Sequence, residues 1–165
     1  AAVAWKAALT RSTGPTALVF TRQSVVHQDR SDEQLSDIAK GGYILKDCDG
    51  APTVVVIATG SEVSICMDAV ESLQASGIKA RMVSLPSVDL FEAQDPAYQE
   101  AVLPAAVRNR VAVEAAGTDY WYKFVGLDGK IIGMESFGES APGPVLMKHF
   151  GFTVENVIEA VKSFD

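Results

Sequence analysis

The run PTVVVIATGSEVSICMDAVESLQASGIKARMVSLP, positions 52–86, constrains the fold more than any other stretch of the chain. TVVVIA is β-branched and apolar at nearly every position, as a strand covered on both faces must be. Val63, Cys66, Met67, Val70 and Leu73 then recur at spacings of three and four, one apolar stripe of a helix. Ser61 can cap that helix, Glu62 places negative charge at the positive end of its dipole, and Gly77 can end it in the left-handed conformation. KARMVSLP reads as a second strand. Strand, helix, strand within about thirty residues is a βαβ crossover, and such crossovers between parallel strands are right-handed.

The glycine turn that feeds this helix raises the question of a nucleotide. A dinucleotide fingerprint needs three glycines, and ATGSEV supplies one. A P-loop needs a Lys-Ser/Thr pair after its second glycine, and none follows. Glu62 in the first turn would also repel an anion. The turn reads as a corner of the fold.

Downstream, DPAYQEAVLP is helical and stopped by Pro104, and NRVAVEAAG is a third buried strand reaching Glu114. DYWYKFV is an aromatic helical turn, KIIGM a short edge strand, and APGPVLMKHFG a helix punctuated by Pro142 and Gly151. A last helix spans Thr153 to Phe164, capped by Thr153, with Val154, Val157, Ile158 and Val161 on one face. Upstream, Gly42 leads into the short strand YILKD. The pattern predicts an α/β protein, three-layered, with a mostly parallel sheet and helices on both faces. A chain of 165 residues can bury about two-thirds of its unfolded surface and needs no disulfide or metal staple.

Residues 1–40 read differently. They offer a helix from Val3 to about Leu9, a Gly14-Pro15 break, an apolar strand TALVF, a polar loop, and a short helix DEQLSDIAKGG with Asp32 as cap and Gly41 as stop. One strand and two helices cannot bury their own apolar faces, so this part is expected to be the tail of another domain. With a first residue already in helical pattern and no initiator Met, the chain reads as a piece of something longer.

A net charge of −7 speaks against a general nucleic-acid binder, since no basic stripe is there to displace counterions. No run approaches the roughly 18 apolar residues of a membrane span, and a cytoplasmic location is expected. Cys48 and Cys66 form no CxxC; a disulfide between them stays open, although Cys66 falls on an apolar helical face where a free cysteine is ordinary.

Candidate chemistry is sparse. FGESAPG places Pro142 where a serine-hydrolase elbow needs its second glycine, so Ser140 is a poor nucleophile. His27 lies in a polar loop and His149 in a last helical turn, where an imidazolium suits the dipole. Glu114, at the carboxyl end of a buried strand, is either a general acid or base or a carboxylate bound by nearby amides. DYWYKF could stack a base or sugar, or fill a domain interface. Arg22, directly after ALVF, is a permanently charged fork suited to phosphate or carboxylate, or else an ion-pair partner of Asp29 or another acid.

The blocks GPTALVFTRQ, GGYILKD, VIATGSEV, SLPSVDLFEAQDPAYQEAVLP, RVAVEAAGTDYWYKFVGLDG and FGESAPGPVLMKHFGFTVENVI, in that order, resemble the C-terminal part of bacterial-type transketolase. The last block is also similar to related thiamine diphosphate enzymes such as deoxyxylulose-phosphate synthase. The resemblance implies that residues 1–40 are the end of a pyrimidine-binding domain and residues 41–165 a transketolase C-terminal domain. It implies a parent homodimer that transfers a two-carbon ketol unit from a ketose phosphate to an aldose phosphate, using thiamine diphosphate and a divalent ion such as Mg²⁺. The cofactor and metal ligands and the catalytic groups would lie upstream of Ala1, so no cofactor, metal or catalytic residue is expected within this chain. Its partners would be the rest of the parent chain and the second subunit. Arg22, the arginine of the RQ dipeptide, is the position the resemblance assigns to the substrate phosphate. Two alternatives stand beside this reading: an independent α/β regulatory or binding module, and a subunit of a split or related thiamine diphosphate enzyme.

Overall fold

The structure, a computed structural model, describes residues 1–164. Helix α1 spans Ala2–Thr10 and α2 spans Asp32–Asp37, which continues into a 3₁₀ turn at Ile38–Lys40. Strands β1 (Tyr43–Lys46) and β2 (Val54–Ala58) are followed by α3 (Glu62–Ala75) and β3 (Ala80–Ser84). Two short helices, α4 (Val88–Glu92) and α5 (Pro96–Val102), precede β4 (Arg110–Gly117). A 3₁₀ turn at Asp119–Trp121 runs into α6 (Tyr122–Val125), and the chain finishes with β5 (Lys130–Met134), α7 (Gly143–His149) and α8 (Val154–Lys162).

The strands form one sheet in the order β1-β3-β2-β4-β5. β2 pairs in parallel with β3 and β4, and β4 with β5; β1 alone is antiparallel, against β3. The loop 47–53 explains the exception. It is too short for the crossover of a dozen or so residues that a parallel return needs.

The alternation of side chains along β2 divides the core in two. Val54, Val56 and Ala58 face α3 and α8, where Cys66, Val70, Leu73, Val157 and Val161 are buried. Val55 and Ile57 face the other way, onto Phe91, Val102, Trp121 and Phe124 from α4, α5 and the α6 region. The expected three layers are therefore present. Since both faces of β2 and β3 are covered, the near-continuous apolar runs in their sequence are what the fold requires.

Local differences from the sequence reading have physical causes. The cap of α2 is Ser31, not Asp32: its hydroxyl accepts from the Gln34 N–H at 3.2 Å while the Gln34 side chain accepts from the Ser31 N–H at 3.0 Å, a reciprocal capping box. Gln34 Nε2 reaches further, donating to the carbonyls of Ile44 and Leu45 on β1 at 3.0 and 2.7 Å. Arg30 Nε donates to the Tyr43 hydroxyl at 2.7 Å, so residues 30–40 are tied onto the sheet. Gly41 ends that segment with φ +87°, and a Cβ there would lie 2.3 Å from the Ser87 carbonyl oxygen; only glycine fits. The run TALVF forms no strand. Among the described residues it has no ladder partner, Val19 is 94% exposed, and its one aromatic support is the stacking of Phe20 on Trp5 at 6.4 Å.

Candidate functional site

The chain leaves β2 toward β3 on one side, while β4 flanks β2 on the other. The carboxyl ends of β2 and β4 thus form the switch point at which open α/β sheets hold ligands. Here that crevice is filled from within. Glu62, only 3% exposed, accepts from the Ser61 hydroxyl at 2.6 Å and from the Ala115 N–H at 3.3 Å. The Ser61 hydroxyl is therefore turned to Glu62 and does not cap α3. Glu114, half-buried at the point where β4 leaves the core, accepts from the Trp121 indole N–H at 2.7 Å. Two carboxylates together bind the segment that follows the buried part of β4.

A cleft of about 760 Å³ opens beside this segment, between the Gly117–Tyr122 turn and the end of β5. Asp119 and Glu135 line it and no cationic side chain does, so it is unsuited to a phosphate. Below Glu62 the Cys66 thiol is pushed up in pKa by burial and then by the Glu62 charge, which makes it an inert core side chain. Cys48 is half-buried, and both cysteines are free. Burial, and after it the charge of Asp47, raises the Cys48 thiol as well.

Arg22 stands apart from that crevice. It is exposed, in a bend that follows the unpaired TALVF segment, and among the described residues it has no ion-pair partner. Asp29 instead lies 3.6 Å from His27 Nε2, both side chains in solvent. The neighbouring Gln23 rests against Gly143 at the start of α7: a Cβ at Gly143 would be 3.0 Å from Gln23 Nε2. His149, exposed at the end of α7, meets the edge of Phe150 at 4.8 Å. The structure therefore brings Glu114 and the DYWYKF aromatics together and leaves Arg22, His27 and His149 elsewhere.

Glu62, expected from the sequence as negative charge at the positive end of the α3 dipole, is in addition turned inward. Its signal was spacing: Glu62 lies four residues before Cys66 and eight before Val70, on the apolar stripe itself. Among the described residues no group of three or more His, Cys, Asp or Glu side chains converges as a metal site would require. Among the same residues no helix is long and apolar enough to cross a membrane.

Comparison with known proteins bears on the whole chain. The family model described as the transketolase-like C-terminal domain matches residues 41–153. Transketolase 1 of Escherichia coli (strain K12) is 58% identical over 161 residues, 98% of this chain and 24% of that relative. Among solved structures, transketolase from Leishmania mexicana superimposes with a TM-score of 0.88 at 38% identity, covering 98% of this chain and 24% of the other. A Pichia stipitis transketolase in complex with sedoheptulose 7-phosphate gives 0.82 at 36% identity, over 97% of this chain and 23% of the other. The chain spans about a quarter of the length of the relatives it matches. With a family model covering most of its length and a sheet that superimposes on solved members, this chain belongs to the transketolase family and corresponds to the C-terminal part of those enzymes.

Proposed function

We propose that this chain is the C-terminal portion of an enzyme that transfers a two-carbon ketol unit from a ketose phosphate to an aldose phosphate, working as a cytoplasmic homodimer. In this reading residues 1–40 end the pyrimidine-binding domain and residues 41–165 form the third domain; the match to the family model, which begins at residue 41, supports that division. Exposed Trp5, Leu9, Val19, Phe20, Val25 and Val26 give residues 1–30 an apolar surface suited to cover by the rest of the parent chain. Two unpaired cysteines suit a reducing compartment.

Thiamine diphosphate does not fit either of these two openings. The switch-point crevice is closed by Glu62, and the adjoining cleft presents carboxylates to any diphosphate. The cofactor would carry the carbanion chemistry elsewhere in the enzyme. What this chain contributes is scaffold and one substrate contact. The observation that carries the reading is Arg22: an exposed guanidinium with no acidic partner among the described residues, in a family with a member crystallised with a sugar phosphate. A planar fork of donors binds a phosphate dianion by paired, charge-assisted hydrogen bonds.

Arg22→Ala in the full-length enzyme tests it. Loss of such a contact costs about 1.5–3 kcal/mol, a rise in KM for phosphorylated substrates of about ten- to a hundredfold. An unphosphorylated ketose should be used as well as before. Unchanged KM for both the phosphorylated donor and acceptor would remove Arg22 from the site.

A further inference from the structure

We propose that Gln23 is a positioning residue for the Arg22 guanidinium, seated on Gly143 so that the C-terminal domain decides where the phosphate contact stands. This rests on the phosphate reading of Arg22.

The bend at Arg22 has little of its own to hold it. The preceding segment lacks a strand ladder, and the Arg22 side chain is exposed without an acidic partner among the described residues. A contact that must be placed within about half an ångström needs a supporting shell. The structure supplies one support on each side. Before the bend, Phe20 stacks on Trp5 of α1 at 6.4 Å. After it, the Gln23 side chain lies along Gly143: a Cβ added there would stand 3.0 Å from Nε2, 3.5 Å from Cγ and 3.6 Å from Cδ. Three atoms of the Gln23 side chain, which is otherwise exposed, thus fill the space that a Cβ at Gly143 would need.

Gly143 is itself fixed. It is the first residue of α7, whose Met147 packs into the core shared by β2, α3 and α8, as does Phe150 directly after the helix. A line of packed groups therefore runs from the sheet through α7 and Gly143 to Gln23, one residue from Arg22. A shift of an ångström in a group that orients substrate can cost far more than the contact that held it. The third domain would in this way tune affinity for phosphorylated sugars.

The test uses the full-length holoenzyme with a ketose phosphate and, separately, an unphosphorylated ketose, in Gln23→Ala, Gly143→Val, the double variant and Arg22→Ala. Gln23→Ala and Gly143→Val should each raise KM for the ketose phosphate about three- to tenfold, and the double variant should be no worse than the poorer single one. KM for the unphosphorylated ketose should stay put, and Gln23→Met, which keeps the length of the side chain, should restore most of the loss. If Gly143→Val fails to fold, Gln23→Ala and Gln23→Met decide the matter alone. A rise with Arg22→Ala but none with Gln23→Ala, equal losses for both sugars, or additive effects in the double variant would overturn the inference while leaving Arg22 in place. No effect of Arg22→Ala would instead overturn the reading beneath it, and this inference with it.

Discussion

Glu62 occupies the first position of α3 with its carboxylate turned into the crevice between β2 and β4, where it binds the Ala115 N–H. Truncating it leaves that amide without an acceptor, and Glu62→Ala should lower the unfolding free energy by about 1–3 kcal/mol in urea denaturation. Glu62→Gln keeps an accepting oxygen and should lose less; equal losses would show that the amide contact carries nothing. The Cys66 thiol, ordinarily at 9.0, is raised by burial and by Glu62, and Tyr98, ordinarily at 10.0, is pushed up to about 12 by burial and by Asp37. Both groups keep their protons in the fold at a pH where the unfolded chain has released them. Their contribution is complete below about pH 9 and is lost as pH rises from there toward 12. Urea melts at about pH 8 and pH 10.5 should differ by roughly 1–2 kcal/mol, with a smaller difference in Cys66→Ala; a flat profile would contradict the burial of the thiol.

At the scale of elements, the Gln34 side chain ties α2 to the sheet, beside the bond from Arg30 to Tyr43. Gln34 closes the capping box with Ser31 and donates to two β1 carbonyls, so it also shields the outer edge of the sheet. Gln34→Ala should destabilise the chain by about 1–2 kcal/mol and speed amide exchange across α2, measurable by hydrogen–deuterium exchange; unaltered exchange would mean the tie is idle. The long periodic elements were legible in the sequence because one face of each had to be apolar: β2, α3, β3, β4 and α8 all follow from spacing. The cap at Ser31 and the antiparallel β1 were not, since the first depends on which hydroxyl reaches an amide and the second on pairing between strands distant in sequence. TALVF misled for a related reason. An apolar β-branched run states a preference for burial, and among the described residues nothing pairs with it. Short α4 escaped notice because its five residues carry barely one turn of periodicity.

For the whole molecule, the candidate site divides along the same line. Arg22 drew attention as an arginine after an apolar run, and only the family resemblance separated phosphate clamp from ion pair; geometry adds that Asp29 is turned to His27. Glu114 was visible as a strand-end acid, but its bond to Trp121 requires the fold. The sheet domain has its ligand crevice shut by its own carboxylate and is joined to a segment that presents a guanidinium. The proposed function assigns the ketol chemistry and its cofactor to the rest of the enzyme. Isothermal titration of the purified 165-residue chain with thiamine diphosphate and Mg²⁺ tests this most directly. The account predicts no saturable heat at micromolar to millimolar cofactor, and saturable Mg²⁺-dependent binding in the micromolar range would contradict it.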